Sequence, residues 1–553
     1  MSLPEKNIYW PYYGKGLNSF GVNDAPIKEK MPEPGPKEVL ARVDAVTICA
    51  SDVKMINMGN DYPLFKDRDF NKNPARLGHE LSLTVVQPGG KMVQDWPVGK
   101  RFGIQPDVYM RGERFCIGVN VTGGMAEYIL LSSEVFTSDN GSCAFPVNEK
   151  FTYASVAQTE PFACVEAAFI QHSRQSFQEN GTLLIYIDAG IQKDFTLDYY
   201  FETQQVQLFD PGNNAGSKVK VDGADVTIIK GIPEMLFNDI IIVGNAGNEE
   251  MIKLTEHMAE KAILCWLPED EATRYVKADI AKVHYNKVNL IGAPTQKLSD
   301  ALNPAKYRYD YKPGGDLLIS GGGGAMGRIH TMRALLHENG PKRVIVINRT
   351  KNRLTSLEEI FGEKAREKGI ELIVIALDEC QDYKAEIRKH LGENGASDIV
   401  VCAPGVGPVN QVVEFLADDG MLVLFAGTSY GNFGNLPFGL VASHNASITA
   451  SSGSSVQDQL SVIEKMETGE INPDINIAAI GGLYATKDGI QAVQDRVYAG
   501  KVVIYPTLSD LPLTDLRELE KIDGMLAEEA SKSGWSKKCE EMLFELYKNR
   551  GNA

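Results

Sequence analysis

Three short segments before residue 166 concentrate side chains able to hold a metal ion: Cys49-Ala-Ser-Asp, Gly78-His-Glu and Glu160-Pro-Phe-Ala-Cys. Zinc takes thiolate, imidazole and carboxylate ligands in a tetrahedral set, and a catalytic site leaves one position for water or substrate. Any one such residue is more often structural, so the weight lies in finding all three ligand types upstream of a second chemical motif. That motif is Asp316-Leu-Leu-Ile-Ser-Gly-Gly-Gly-Gly-Ala-Met-Gly-Arg-Ile-His, an apolar strand running into glycines and then a helix. Gly322, Gly324 and Gly327 fit G-x-G-x-x-G, with Ala325 and Met326 between the last two. The first glycine allows a tight turn, the second lets a pyrophosphate approach the backbone, and the third lets helix and strand pack closely. The helix N-terminus adds unpaired N–H groups and partial positive charge.

A second strand, Arg343-Val-Ile-Val-Ile, follows where the residue that reads the adenosine ribose belongs. NAD binders place Asp or Glu at this strand end. Here stand Asn348, Arg349, Thr350, Lys351 and Arg353, which suit a 2′-phosphate and favour NADP(H) over NAD(H).

The elements around these motifs fall into distinct stretches. Up to about residue 171 the chain reads as short alternating strands punctuated by Gly and Pro, a β-rich domain. From about 180 to 460 buried apolar strands alternate with helical stretches, the signature of parallel α/β sheets. Eleven strand candidates stand there, beginning at Leu183, Val206, Asp239, Ala262, Val288, Leu317, Val344, Leu372, Asp398, Met421 and Ser447, too many for one ordinary doubly wound sheet. Asn238-Asp-Ile-Ile-Ile-Val-Gly aligns with Ser397-Asp-Ile-Val-Val-Cys-Ala, Gly181-Thr-Leu-Leu-Ile with Gly315-Asp-Leu-Leu-Ile, and Tyr285-Asn286 with His444-Asn445. Such spacing indicates an internal duplication. The expected architecture is a catalytic domain over 1–171, completed by about 472–512; an inserted degenerate nucleotide-binding-type domain over 172–312; and a dinucleotide-binding domain over 313–471. The inserted copy has Ile187-Asp-Ala-Gly-Ile-Gln-Lys-Asp at its turn, without the glycine spacing, so no dinucleotide is expected there. A charged helical tail over 513–553 is expected to be solvated or to contact an oligomer partner.

The bulk properties bound the function. A chain of 553 residues exceeds what one core supports. No stretch approaches the ~20 apolar residues of a membrane span, and the start lacks a basic segment followed by an apolar one, so a cytoplasmic protein with no membrane partner is expected. A net charge of −17, with basic residues scattered, argues against nucleic acid. The eight cysteines include no CxxC pair, and most are expected to be buried fillers.

Taken together and in this order, the motifs resemble the zinc-containing medium-chain dehydrogenases of the alcohol dehydrogenase superfamily. Gly35-Pro-Lys-Glu-Val-Leu, Val98-Gly-Lys-Arg, Gly123-Gly-Met-Ala-Glu-Tyr and Gly500-Lys-Val-Val-Ile add to the match. Asn73-Pro-Ala-Arg-Leu-Gly-His-Glu, Glu160-Pro and Ile471-Asn-Pro look most like the polyol and sugar branch. The resemblance implies an α/β chain with a GroES-like catalytic domain and a Rossmann-type cofactor domain. It implies Cys49 and His79 as zinc ligands, Glu80 or Glu160 as the third, Ser51 as the hydroxyl that relays the substrate proton, and Asp52 as its support. Two departures stand out: Gln105 through Asn120 keeps only Cys116, so a single catalytic zinc and no structural zinc is expected, and the block between Cys164 and Gly322 is foreign to the family plan.

The activity so implied is hydride transfer between a nicotinamide cofactor and a small alcohol or ketone, in a homo-oligomer such as a dimer or tetramer. The competing readings are a zinc-free quinone or enoyl reductase of the same superfamily and a non-catalytic assembly protein with vestigial motifs. Arg76, Arg111 and Arg114 are basic groups that could meet a phosphate, with surface exposure the simpler reading.

Overall fold

The structure, a computed structural model, describes residues 3–201, 204–221 and 226–550. It divides into two compact units: one formed by Met1–Cys164 with Ser454–Ala553, the other by Val165–Gly453. After two paired strands at Lys6–Tyr9 and Ile27–Lys30, the first unit carries β1 (Val39–Ile48), β2 (Glu80–Pro88), β3 (Arg101–Ile104), a hairpin of β4 (Asp107–Met110) and β5 (Glu113–Cys116), then β6 (Tyr128–Leu131) and β7 (Ala144–Pro146). Helices α1 (Ala50–Met58), α2 (Tyr153–Ala157) and α3 (Thr159–Ala167) complete this stretch. β1 is buried along nearly its whole length because both of its faces are covered, so it reads as a continuous apolar run.

The second unit holds the same α/β plan twice. The inserted lobe contains β8 (Thr182–Ile187), β9 (Gln205–Phe209), β10 (Val226–Ile229), β11 (Phe237–Val243), α4 (Asn248–Glu256), β12 (Met258–Leu267), β13 (Val276–Asp279), α5 (Ile280–Tyr285) and β14 (Asn289–Gly292). The cofactor-type lobe contains β15 (Asp316–Ser320), α6 (Ala325–Leu336), β16 (Arg343–Asn348), β17 (Glu371–Ala376), β18 (Ala396–Val401), β19 (Leu416–Leu424), β20 (Phe433–Leu436), α7 (Phe438–His444) and β21 (Ser447–Ala450). Among the described residues each lobe carries a six-stranded parallel sheet, ordered β10-β9-β8-β11-β12-β14 in one and β17-β16-β15-β18-β19-β21 in the other. All eleven expected strands are present, and the order is that of a doubly wound dinucleotide fold. β10, β13 and β20 were not expected; β10 takes the edge of its sheet, while β13 and β20 leave their own sheets and pair antiparallel with each other.

The chain re-enters the first unit at residue 454, so the expected boundary at 471 moves upstream. The reason is α8 (Val456–Glu467), whose neighbour Ser454 and buried Gln459 bond Gln105 beside β3. β22 (Ile477–Gly482) and β23 (Lys501–Tyr505) then join β1, giving a sheet in the order β22-β23-β1-β2-β3-β7, with β6 also on β1. The tail forms α9 (Gly524–Ser533) and α10 (Lys537–Arg550). It is not the solvated appendage expected from its charge. Leu526, Trp535, Cys539 and Leu543 are buried with Val503 and Tyr505 in one apolar cluster, and apart from the buried Glu540 the charges lie on the opposite helix faces. Among the described residues no helix is long and apolar enough to cross a membrane.

Candidate active site

Cys49, His79 and Glu80 form a potential metal-binding group in the first unit, with one ligand atom from each lying within 4.8 Å of the others. Three local devices bring them together. Cys49 is the residue at which β1 turns into α1, and its N–H donates to Asp52 Oδ2 (2.9 Å), a bond that ties the first helical turn closed. Asp52 is fully buried, and its other oxygen accepts from Gly78 N–H (3.4 Å) and faces His79 Nδ1 at 3.4 Å. One carboxylate therefore fixes the helix start to the histidine loop. Gly78 allows the loop its sharp entry: its φ is +92°, and a Cβ there would press on Val46 and Met125.

Glu80 opens β2 directly opposite Thr47 of β1. Its carboxylate accepts from the Thr47 hydroxyl and is held by Lys501 Nζ at 2.6 and 2.7 Å. Both members of this ion pair are buried, Lys501 on β23 and Glu80 on β2, with β1 between them. Burial opposes the charge on Lys501, but Glu80 and Cys49 outweigh it and hold the ammonium protonated. Burial likewise opposes protonation of His79, and Asp52 with Cys49 overcomes it, raising the ring above its ordinary value. Ser51 Oγ lies 3.0 Å from His79 Nε2.

Of the two carboxylates left open by sequence, Glu80 joins the cluster and Glu160 stands outside it. Glu160, on α3, accepts from the Cys164 thiol (3.2 Å), and burial followed by the charge of Glu80 pushes it up to about 6. The donor set suits zinc: a sulfur, an imidazole whose far nitrogen faces a carboxylate, and an oxygen ligand with its own partner. Cys116 is different in kind, a thiol pushed up to about 12 by burial and bonded to Ile117 O (3.4 Å). Arg76 is occupied by Glu29 (2.9 Å) and the Tyr9 ring, Arg114 by Asp107 (2.8 Å), and Arg111 is exposed.

Lys501 was legible only as part of the motif Gly500-Lys-Val-Val-Ile, Cys164 only as the end of the segment Glu160-Pro-Phe-Ala-Cys, and Thr47 carried no signal as a site residue. All three act through tertiary contacts. A lysine opening an otherwise apolar strand is the one clue that a buried anion waits for it.

The second unit holds the glycine turn. Gly321, not Gly322, supplies the left-handed backbone, with φ +75°. Gly322 is required for space instead, since a Cβ would lie 2.1 Å from Val346 Cγ1, and a Cβ on Gly327 would lie 2.3 Å from Gly322 Cα. Gly324 caps α6, in which Ala325 and Met326 form the first turn. Asn348 ends β16, nearly buried, and donates to Thr350 O (3.2 Å). Thr350 donates to Asn352 (2.7 Å). Arg353 reaches back over the turn, its Nη2 lying 3.5 Å from where a Gly324 Cβ would stand, while Arg349 and Lys351 are exposed and Lys351 pairs with Glu379 (3.1 Å).

Residues 35–138 match the family model of the alcohol dehydrogenase GroES-like domain. Over 249 residues the chain is 30% identical to mannitol-1-phosphate 5-dehydrogenase from Aliivibrio fischeri, covering 43% of this chain and 58% of that protein. It is 28% identical over 156 residues to L-sorbose 1-phosphate reductase from Klebsiella pneumoniae, covering 28% and 37%. The chain thus spans less than two thirds of the length of these curated relatives. Among solved structures, 2R,3R-butanediol dehydrogenase from Bacillus subtilis aligns with a TM-score of 0.51 at 14% identity, over 90% of this chain and 99% of that one, a likeness of fold.

Proposed function

We propose that this chain is a member of the medium-chain dehydrogenase/reductase superfamily, near its polyol branch, and a zinc-dependent oxidoreductase transferring hydride between a nicotinamide cofactor and a secondary alcohol or ketone of the polyol, sugar or sugar phosphate class. The observation that carries the reading is the approach of Cys49, His79 and Glu80 ligand atoms to within 4.8 Å. Bound there, zinc supplies a Lewis acid for the substrate oxygen. The chain's own residues do the rest. Cys49 and His79 hold the ion, with Glu80 as the third ligand, and Asp52 keeps the imidazole oriented. Ser51, hydrogen-bonded to His79, is the hydroxyl that takes the substrate proton. Lys501 neutralises Glu80 when that carboxylate is not on the metal. In the second unit the N–H groups at Gly324, Ala325 and Met326 receive the pyrophosphate, Gly322 and Gly327 leave it room, and Asn348, Arg349, Thr350 and Arg353 meet the adenosine ribose. The basic character of that last set favours NADP(H).

The test combines metal analysis with turnover on a panel of polyols, sugars and sugar phosphates, each with both cofactors. One zinc per chain is expected, lost in Cys49→Ala and in His79→Ala, with turnover reduced by roughly 10²–10³ or more. Undiminished turnover in a metal-free Cys49→Ala enzyme would overturn the metal assignment and point to the quinone or enoyl reductases.

A further inference from the structure

The two lobes of the second unit match down to single hydrogen bonds. In the inserted lobe Arg174 Nη2 donates to Asp239 Oδ1 (2.6 Å) and Asn238 O (2.8 Å), Nη1 donates to Ser176 O (2.7 Å), and Gln178 N–H donates to Asp239 Oδ2 (2.7 Å). In the other lobe Arg308 donates to Asp398 Oδ1, to Ser397 O (3.0 Å) and to Asp310 O (2.7 Å), and Lys312 N–H donates to Asp398 Oδ2 (2.9 Å). Strand register fixes the correspondence further along. Ile263 pairs with Asn289 as Met421 pairs with Ser447, so Ile263 answers to Met421. The left-handed residues Lys287 and Asn445 then coincide. This shifts by one residue the alignment of Tyr285-Asn286 expected from sequence: Tyr285 answers to Ser443.

Under that correspondence Val276, Lys277 and Ala278 of β13 answer to Gly434, Asn435 and Leu436 of β20. The observed pairing is Val276 with Leu436, Lys277 with Asn435 and Ala278 with Gly434. Each residue faces the counterpart of the residue its own counterpart faces, and Lys277 faces its own counterpart. That reciprocity is what a two-fold axis imposes on an isologous interface, and the axis passes between Lys277 and Asn435. The surrounding contacts obey it as well. Helix α7 packs on β14 while α5 packs on β21. Ala272 N–H donates to Ser443 Oγ (3.1 Å), and their counterparts Tyr430 and Tyr285 meet with ring centroids 5.8 Å apart.

The symmetry stops at the nucleotide turn. Glu269 answers to Gly427, and its buried carboxylate accepts the N–H groups of Gln192 and Lys193 in the turn that follows β8. A side-chain anion therefore takes the donors at the position where the other lobe presents its glycine turn.

We propose that the inserted lobe is an in-chain second subunit. It covers the two-fold face of the cofactor lobe so that no further copy of the chain docks there, and Glu269 closes its own nucleotide turn. This replaces, at that face, the self-association expected from the sequence, and it does not depend on the proposed activity. The test is a disulfide trap with Lys277→Cys and Asn435→Cys together, since directly opposed positions of an antiparallel pair lie within disulfide reach. Oxidation of the full chain is expected to link positions 277 and 435 within one chain, migrating as a single 60.7 kDa species at every concentration and confirmed by peptide mapping. A link between two chains, at twice that mass, would overturn the proposal, as would the absence of any link. In a parallel arm, a photoreactive adenine dinucleotide is expected to leave peptides from residues 182–193 unlabelled; label recovered there would overturn the closed turn.

Discussion

Lys501 shows how a single buried charge can set the behaviour of a metal-type cluster. Its ammonium is the buried counter-ion of the Glu80 carboxylate. Removing one partner of such a pair costs about 3–5 kcal/mol, because the other charge is left buried and unpaired. Lys501→Met is therefore expected to lower unfolding stability by that order in a denaturant titration. The double variant Glu80→Gln with Lys501→Met is expected to recover most of the loss while binding zinc more weakly. A double variant as unstable as the single one would show that the pair is not what Lys501 contributes. At the second site, Arg353 leans over the glycine turn and Asn348 closes the strand beside it. Arg353→Ala is expected to raise KM for NADP(H) by roughly tenfold to a hundredfold, the loss of about 1.5–3 kcal/mol from a charge-assisted contact, with a smaller change for NAD(H). Equal changes for the two cofactors would remove the 2′-phosphate from the account.

Among the elements, the short helix α2 is instructive, because its exposed donors are met from far along the chain. Thr152 caps it by accepting from Ser155 N–H, and Glu540 of α10 accepts from Tyr153 N–H (2.8 Å) and Ala154 N–H (3.2 Å). The same glutamate accepts from the Tyr505 hydroxyl (3.1 Å). Thr152 and Ser155 both donate to Asp474. The tail is thus fastened by polar contacts as well as by its apolar face. Burial pushes Glu540 up to about 7 and Asp474 up to about 6, so the folded protein holds protons that the unfolded chain has already released near pH 4 to 5. The sign follows: stability linked to these protons is whole below that range and is lost as pH climbs through 6 to 7. Amide exchange in residues 537–550 is expected to be faster at pH 8 than at pH 5.5 after correction for intrinsic rates, and Glu540→Gln is expected to flatten that difference. A tail that tightens with rising pH would contradict this account.

At the level of the whole molecule, the second unit is one cooperative body built from two copies. A single apolar cluster includes Ile185, Trp266 and Val283 of the inserted lobe and Leu318, Ile399 and Phe438 of the other. Trp266 is fully buried against Phe438, and its indole N–H donates to Gly244 O (2.9 Å). Trp266→Ala is expected to cost about 3–5 kcal/mol through the cavity it leaves and the orphaned carbonyl. Because the core is shared, faster exchange is expected in β15 and β16 as well as in β11 and β12. Loosening confined to the inserted lobe would mean that the two copies unfold independently.

Local pattern carried much of this. Strand positions follow from runs of buried β-branched residues, and the glycine turn follows from backbone sterics, so both could be read from the chain itself. The Cys49, His79 and carboxylate set was visible as residue types in order, and the duplication as repeated segments. What sequence left open were relations between distant residues. Nothing local shows that Glu80 rather than Glu160 comes close to Cys49 and His79; that follows from β1 and β2 setting Thr47 opposite Glu80, and from β23 bringing Lys501 to the same carboxylate. Nothing local shows that the charged tail is buried on one face, or that β13 and β20 cross over to each other. Periodicity records which residues avoid water, but the partner that covers them is fixed by packing, and packing is settled only when the whole chain is folded.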